Sequence, residues 1–146
     1  MINPTTTSSM STRSECIVIT RFPYESALGG EESHTLRLAE HFRSLEYTVI
    51  FFGSCPVLLQ EFLQRGFQVR KAWAGKMIVT PFQLLLSAFL FPFYRWNLRR
   101  HFRALAKEKN IKALYCLSFN EKIFLTPLAL VMGIPVTWVE HQELRS

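Results

Sequence analysis

Aspartate is absent from this 146-residue chain, and all 11 acidic residues are glutamates. No Ser-His-Asp order can therefore be built, and neither a paired carboxylate motif nor a metal-ligand cluster stands out. Cysteine is scarce. Cys16, Cys55 and Cys116 are odd in number, far apart and without Cys-x-x-Cys spacing. A disulfide framework and a zinc site are thereby excluded, and the three read as reduced, small apolar residues of a cytosolic chain. Charge is modest at 19%, with 17 Lys+Arg against 11 Asp+Glu, a balance of +6. That is too little charge, beside 49% hydrophobic residues, for a disordered polyelectrolyte. Collagen-like, coiled-coil and low-complexity periods are missing, as is any internal repeat.

A long uninterrupted apolar run is also lacking. In Met77–Tyr94 thirteen of eighteen residues are apolar or aromatic, but Pro81 and Pro92 interrupt it. The stretch between them is about half of the roughly 20 residues that span a bilayer. A buried or surface-lying helix fits better. Residues 1–12 are rich in Thr and Ser with no cationic head joined to an apolar core, which excludes a signal peptide. Residues 1–14 read as a flexible tail, and 15–146 as one domain with a helical insert at 77–109.

What the chain does contain is apolar, β-branched runs alternating with helical periods. Cys16–Thr20, Tyr47–Phe52, Phe67–Trp73, Ile111–Leu117 and Pro135–Val139 read as strands. Glu31–Leu45 reads as a helix burying Leu38, Phe42 and Leu45, with Glu31 and Glu32 favouring its dipole. Pro56–Arg65 reads as a helix opened by proline and stopped by Gly66, and Asn120–Met132 as one stopped by Gly133. Pro81–Phe91 is expected as a helix that Pro92 breaks or kinks, and Tyr94–Lys109 as a second, cationic helix. The order predicts an α/β fold: a Rossmann-like parallel sheet with helices on both faces, in a single domain. Ligands of such a sheet sit outside the carboxyl ends of the strands. That puts Arg21–Gly30, Gly53-Ser54, Trp73–Gly75, Ser118–Glu121 and Glu140–Glu143 on one functional rim.

Gly29-Gly30-Glu31-Glu32 joins the first strand to the first helix. Two glycines there allow a tight turn and the approach of a bulky group to a helix N-terminus, whose free N–H groups favour an anion. The dinucleotide Gly-x-Gly-x-x-Gly pattern and the Lys-Ser/Thr phosphate loop are both absent. A plain turn, with the glutamates serving as dipole caps, is the simpler alternative. His34 and His41 share a helix without a third ligand, and His101 lies among arginines.

Gly29-Gly30-Glu31, followed by Leu38-Ala39-Glu40-His41-Phe42 and the strand Tyr47–Phe52, resembles the start of the retaining, nucleotide-sugar-dependent GT-B glycosyltransferases (glycosyltransferase family 4-like). The closing stretch Gly133-Ile-Pro-Val-Thr-Trp-Val-Glu-His141 is similar to the strand-and-histidine segment of the same N-terminal domain. The resemblance implies the acceptor-side half of a GT-B fold. It implies Gly29, Gly30 and Glu31 beside the donor diphosphate or the acceptor, and His141, as a catalytic residue, near the transferred sugar. The family's Gly-His before the second strand is Glu46-Tyr47 here, and Ser118–Asn120 holds no histidine. The family's C-terminal domain supplies the basic residues and the paired glutamates that hold the donor. No such segment is present, so the chain is expected to be a fragment, a split subunit or an incomplete domain, inactive alone and partnered by a donor-binding domain or separate subunit. The donor nucleotide-sugar is a substrate, and no cofactor or metal is expected.

Seven of the seventeen cationic residues fall between Arg95 and Lys112. Arg95, Arg99, Arg103 and Lys107 recur every four residues beside Arg100, while Leu98, Phe102, Leu105 and Ala106 take another face. A solvated face accounts for this stripe; so does a surface for anionic lipid headgroups, because apolar Phe82–Phe93 immediately precedes it. Nucleic acid is disfavoured because no reading motif accompanies the charge. The reading is an acceptor-side glycosyltransferase domain for a glycan or lipid-linked acceptor, cytoplasmic and peripheral on the inner face of the cell membrane. The alternative is a non-catalytic Rossmann-like module that binds a partner or a membrane.

Overall fold

A computed structural model describes residues 14–22, 29–73 and 80–139. The elements are β1 (Glu15–Arg21), α1 (Gly30–Ser44), β2 (Thr48–Gly53), α2 (Pro56–Gln64), β3 (Gln68–Lys71), α3 (Pro81–Glu108), β4 (Asn110–Cys116), α4 (Phe119–Val131) and β5 (Val136–Trp138). They build one five-stranded sheet, every pairing parallel, in the order β3-β2-β1-β4-β5. The β-branched runs made parallel neighbours, as expected from the sequence, and the short β3 lies at one edge. The fold is the anticipated Rossmann-like parallel sheet flanked by helices.

Pleating sends alternate side chains to opposite faces, and both faces are covered. Ile17, Ile19, Val49 and Phe51 pack with Leu36, Ala39, Leu58 and Phe62 of α1 and α2. Cys16, Val18, Ile50, Phe52, Leu114 and Cys116 pack with Leu98, Phe102, Leu105, Leu125 and Ala129 of α3 and α4. All three cysteines are buried, and burial pushes the Cys16 thiol up to about 11 and the Cys116 thiol up to about 12. Gly53 marks a close approach: a Cβ there would lie 2.1 Å from the carbonyl oxygen of Arg21. The stops at Gly66 and Gly133 hold, both with positive φ and the next amide bonded back into the helix.

Two expectations are corrected. Pro92 lies inside one 28-residue helix, not between two. Proline forfeits a helical hydrogen bond and strains the preceding turn, but here it is solvent-exposed, where water can satisfy the freed carbonyl. Packing holds the axis on both sides of it: Phe91 stacks on Phe124 at 4.9 Å, and Tyr94 and Leu98 are buried. In α1 the buried positions are Glu32, Thr35, Leu36 and Ala39, while Leu45 is exposed and Leu38 and Phe42 are half-buried. Apolar periodicity misses this face because two of its members are polar residues whose partners lie within reach.

Candidate functional site

The chain lays down β1, β2 and β3 in one direction, then crosses by α3 to place β4 on the other side of β1. The switch point therefore lies between β1 and β4, and the carboxyl ends of these strands mark the position at which such sheets form a ligand crevice. Arg21 ends β1 and is buried. One guanidinium nitrogen lies 3.0 Å from Glu31 Oε2, and the other lies 3.0 Å from Glu32 Oε1. Glu32 also accepts the Gly29 N–H at 3.0 Å, reaching back to close the first turn of α1. Its neighbour Glu31 keeps 46% of its side chain in solvent, against 3% for Glu32.

Across the crevice, α4 contributes Glu121, which is fully buried. The Phe22 N–H donates to its Oε1 at 2.6 Å, and the Ser118 hydroxyl bonds to its Oε2. Burial pushes its carboxyl above the usual glutamate range, while the Ser118 hydroxyl, its own N–H, the Phe22 N–H and Arg21 pull the other way. Thr20 Oγ1 donates to the Tyr115 carbonyl at 3.1 Å, and the Leu117 N–H donates to the Thr20 carbonyl at 3.3 Å. These links pin the exits of β1 and β4 to one another.

Gly29, Gly30 and Glu31 thus meet at this crevice. Neither glycine has a left-handed backbone, and a Cβ on Gly30 would meet nothing within 4 Å. Among the described residues nothing blocks a group at Gly30, but the α1 dipole already faces two carboxylates that outnumber the charge of Arg21. A phosphate is opposed there; a neutral, hydroxyl-bearing group can bond to Glu31. His141, Glu140 and Glu143 lie outside the described residues. His34, His41 and His101 are exposed, and among the described residues no three His, Cys or Glu side chains are grouped to hold a metal.

Sequence reasoning read Glu32 as a helix cap, which it is, but missed its burial against Arg21 and the roles of Arg21 and Glu121. Spacing carried a trace of the two glutamates: Gly29 to Glu32 and Ser118 to Glu121 are both three apart at a helix start, the interval of a capping box.

Arg95, Arg99, Arg100, Arg103 and Lys107 are not part of the crevice; they lie exposed on α3, whose opposite face buries Tyr94, Leu98, Phe102 and Leu105. Trp96, Arg99, Arg100, Arg103, Ala104 and Lys107 line an open groove of about 400 Å³. The Arg100 guanidinium stands over the Trp96 ring at 5.7 Å. Among the described residues, no helix is long and apolar enough to cross a membrane.

No protein-family model matches the chain, and a search of curated proteins finds no match. Solved structures do. One is MurG of Acinetobacter baumannii, at TM-score 0.53 and 12% identity, over 86% of this chain and 34% of that one. Another is the C-terminal domain of a hydrogenase from Pyrococcus furiosus, at TM-score 0.56 and 12% identity, over 86% of this chain and 89% of that one. At such identity the likeness is one of fold: a Rossmann-like domain matching half of a GT-B fold. The chain spans about a third of the length of MurG.

Proposed function

We propose that this chain is the acceptor-side domain of a GT-B glycosyltransferase that moves a sugar from a nucleotide-sugar donor to a glycan or lipid-linked acceptor. The observation that carries the reading is the likeness to MurG, a GT-B glycosyltransferase, over 86% of this chain. The Gly29-Gly30-Glu31 loop and the closing stretch to His141 support it further, through their resemblance to retaining family members.

In this reading the acceptor lies over Gly29 and Gly30, with a hydroxyl bonded to Glu31. Glu32 and Glu121 are buried and serve the frame. The carboxylates disfavour a diphosphate at α1, so the donor is held by a second domain or subunit, which also stabilises the leaving group. Without that half, this chain binds acceptor and does not transfer. The resemblance to retaining family members assigns His141 the catalytic role at the transferred sugar.

The test is to follow the reading frame past Ser146 and assay the resulting polypeptide with nucleotide-sugars and glycan or lipid-linked acceptors. Transfer that falls by about 10²-fold or more in His141→Ala, with melting unchanged, supports the reading. A frame closing at Ser146, with neither transfer nor a donor-binding partner, leaves the non-catalytic module instead.

A further inference from the structure

The helix α3 overshoots the sheet it covers. Its 28 residues extend about 42 Å, whereas its buried contacts run only from Tyr94 to Leu105, about 17 Å. As the crossover between parallel strands it runs antiparallel to them, so its first half projects beyond their carboxyl ends. Apart from Phe91, which packs on Phe124, and the buried Tyr94 at its end, that half is apolar and exposed: Phe82 is 74% and Phe89 82% exposed, and Leu85, Leu86 and Phe93 are exposed too.

The exposed residues follow one line. Positions 82, 85, 89, 93, 96, 100, 103 and 107 recur in steps of three or four, which is a single stripe opposite the buried face. Along it the chemistry changes once. Phe82, Leu85, Phe89 and Phe93 come first, then Trp96, then Arg100, Arg103 and Lys107, with Arg99 alongside. Positions 81–107 contain no acidic residue.

We propose that this stripe docks obliquely on an anionic lipid bilayer, with Phe82, Leu85 and Phe89 among the acyl chains, Trp96 at the boundary and Arg99, Arg100, Arg103 and Lys107 at the headgroup phosphates. Two features select this occupant. A helix lying flat would carry apolar residues along its whole lower face with cations flanking them; here the two follow one another, which matches a passage from hydrocarbon to headgroup. Trp96, with a guanidinium over its ring, stands where interfacial aromatics concentrate. A nucleic acid would match the cations and leave the phenylalanines in water. This docking does not depend on sugar transfer, although it would bring the crevice rim to the membrane surface.

Flotation with phosphatidylcholine vesicles, with and without phosphatidylglycerol, tests the occupant. Binding is expected to the anionic vesicles and to weaken with salt. Arg99→Gln with Arg103→Gln should reduce it at least about tenfold, and Leu85→Gln with Phe89→Ser should reduce it similarly. All four side chains are exposed, so circular dichroism should not change. Absence of binding at low salt, or loss only in the arginine pair with an equal loss on duplex DNA, overturns the proposal. The tilt has its own readout. The native cysteines are buried, so nitroxide labels at Ala88→Cys and Ala104→Cys report depth without removing a docking residue. The label at 88 should lie deeper than that at 104, and equal depths overturn the oblique arrangement.

Discussion

Charge is handled in opposite ways at the β1–β4 crevice and on the outward face of α3. At the crevice Arg21, Glu32 and Glu121 are buried, and each is held by fixed partners: ion pairs at 3.0 Å and a backbone N–H at 2.6 Å. On α3 the arginines stand in solvent beside exposed aromatics. A buried charge is stable only with its partners fixed, so the crevice set shapes the fold and, among the described residues, offers Glu31 outward. An exposed cation contributes little to stability and keeps its field for a partner. Charge fixed within the frame and charge left to solvent can therefore be separated by burial.

Substitutions should break this contrast unequally. The largest effect is expected for Arg21→Met, which strands Glu32 and removes the ion pair: a loss of about 3–5 kcal/mol in denaturant unfolding. Gly53→Ala comes next, since its Cβ would meet the Arg21 carbonyl at 2.1 Å; overpacking should cost about 1–3 kcal/mol, read as a lowered Tm. Glu121→Gln acts through pH. Because the folded carboxyl is raised, the native state holds its proton more tightly than the unfolded chain does. Stability should therefore fall as pH rises from the ordinary glutamate value through the raised one, by at most about 1.4 kcal/mol per pH unit. The glutamine variant should flatten that slope in urea titrations across pH. The smallest change is expected for Leu85→Gln with Phe89→Ser, within about 0.5 kcal/mol by the same unfolding measurement.

Much of the frame was legible because its strands are apolar, β-branched and covered on both faces, a pattern that names parallel neighbours. Gly66 and Gly133 marked helix ends through the left-handed angle they supply. The crevice was legible only in part. Gly29 to Glu31 could be placed on the rim by element order, but Glu121 and Phe22 meet across 99 positions, a pairing no local period encodes. Glu32 and Thr35 occupy the buried face of α1 because Arg21, the Gly29 N–H and the Glu31 carbonyl satisfy them. Pro92 misled for the complementary reason. Its local cost of about 3 kcal/mol is outweighed by tertiary contacts that the sequence does not display.

The most direct test of the proposal that the β1–β4 crevice receives a hydroxyl-bearing acceptor and not the donor phosphates is a KM comparison in the transferase assembled from this chain and its donor-binding half. Glu31→Gln should raise KM for the acceptor about tenfold or more, the loss of one charged hydrogen bond, and leave KM for the nucleotide-sugar unchanged. A rise confined to the nucleotide-sugar, or no change in either, would contradict the account.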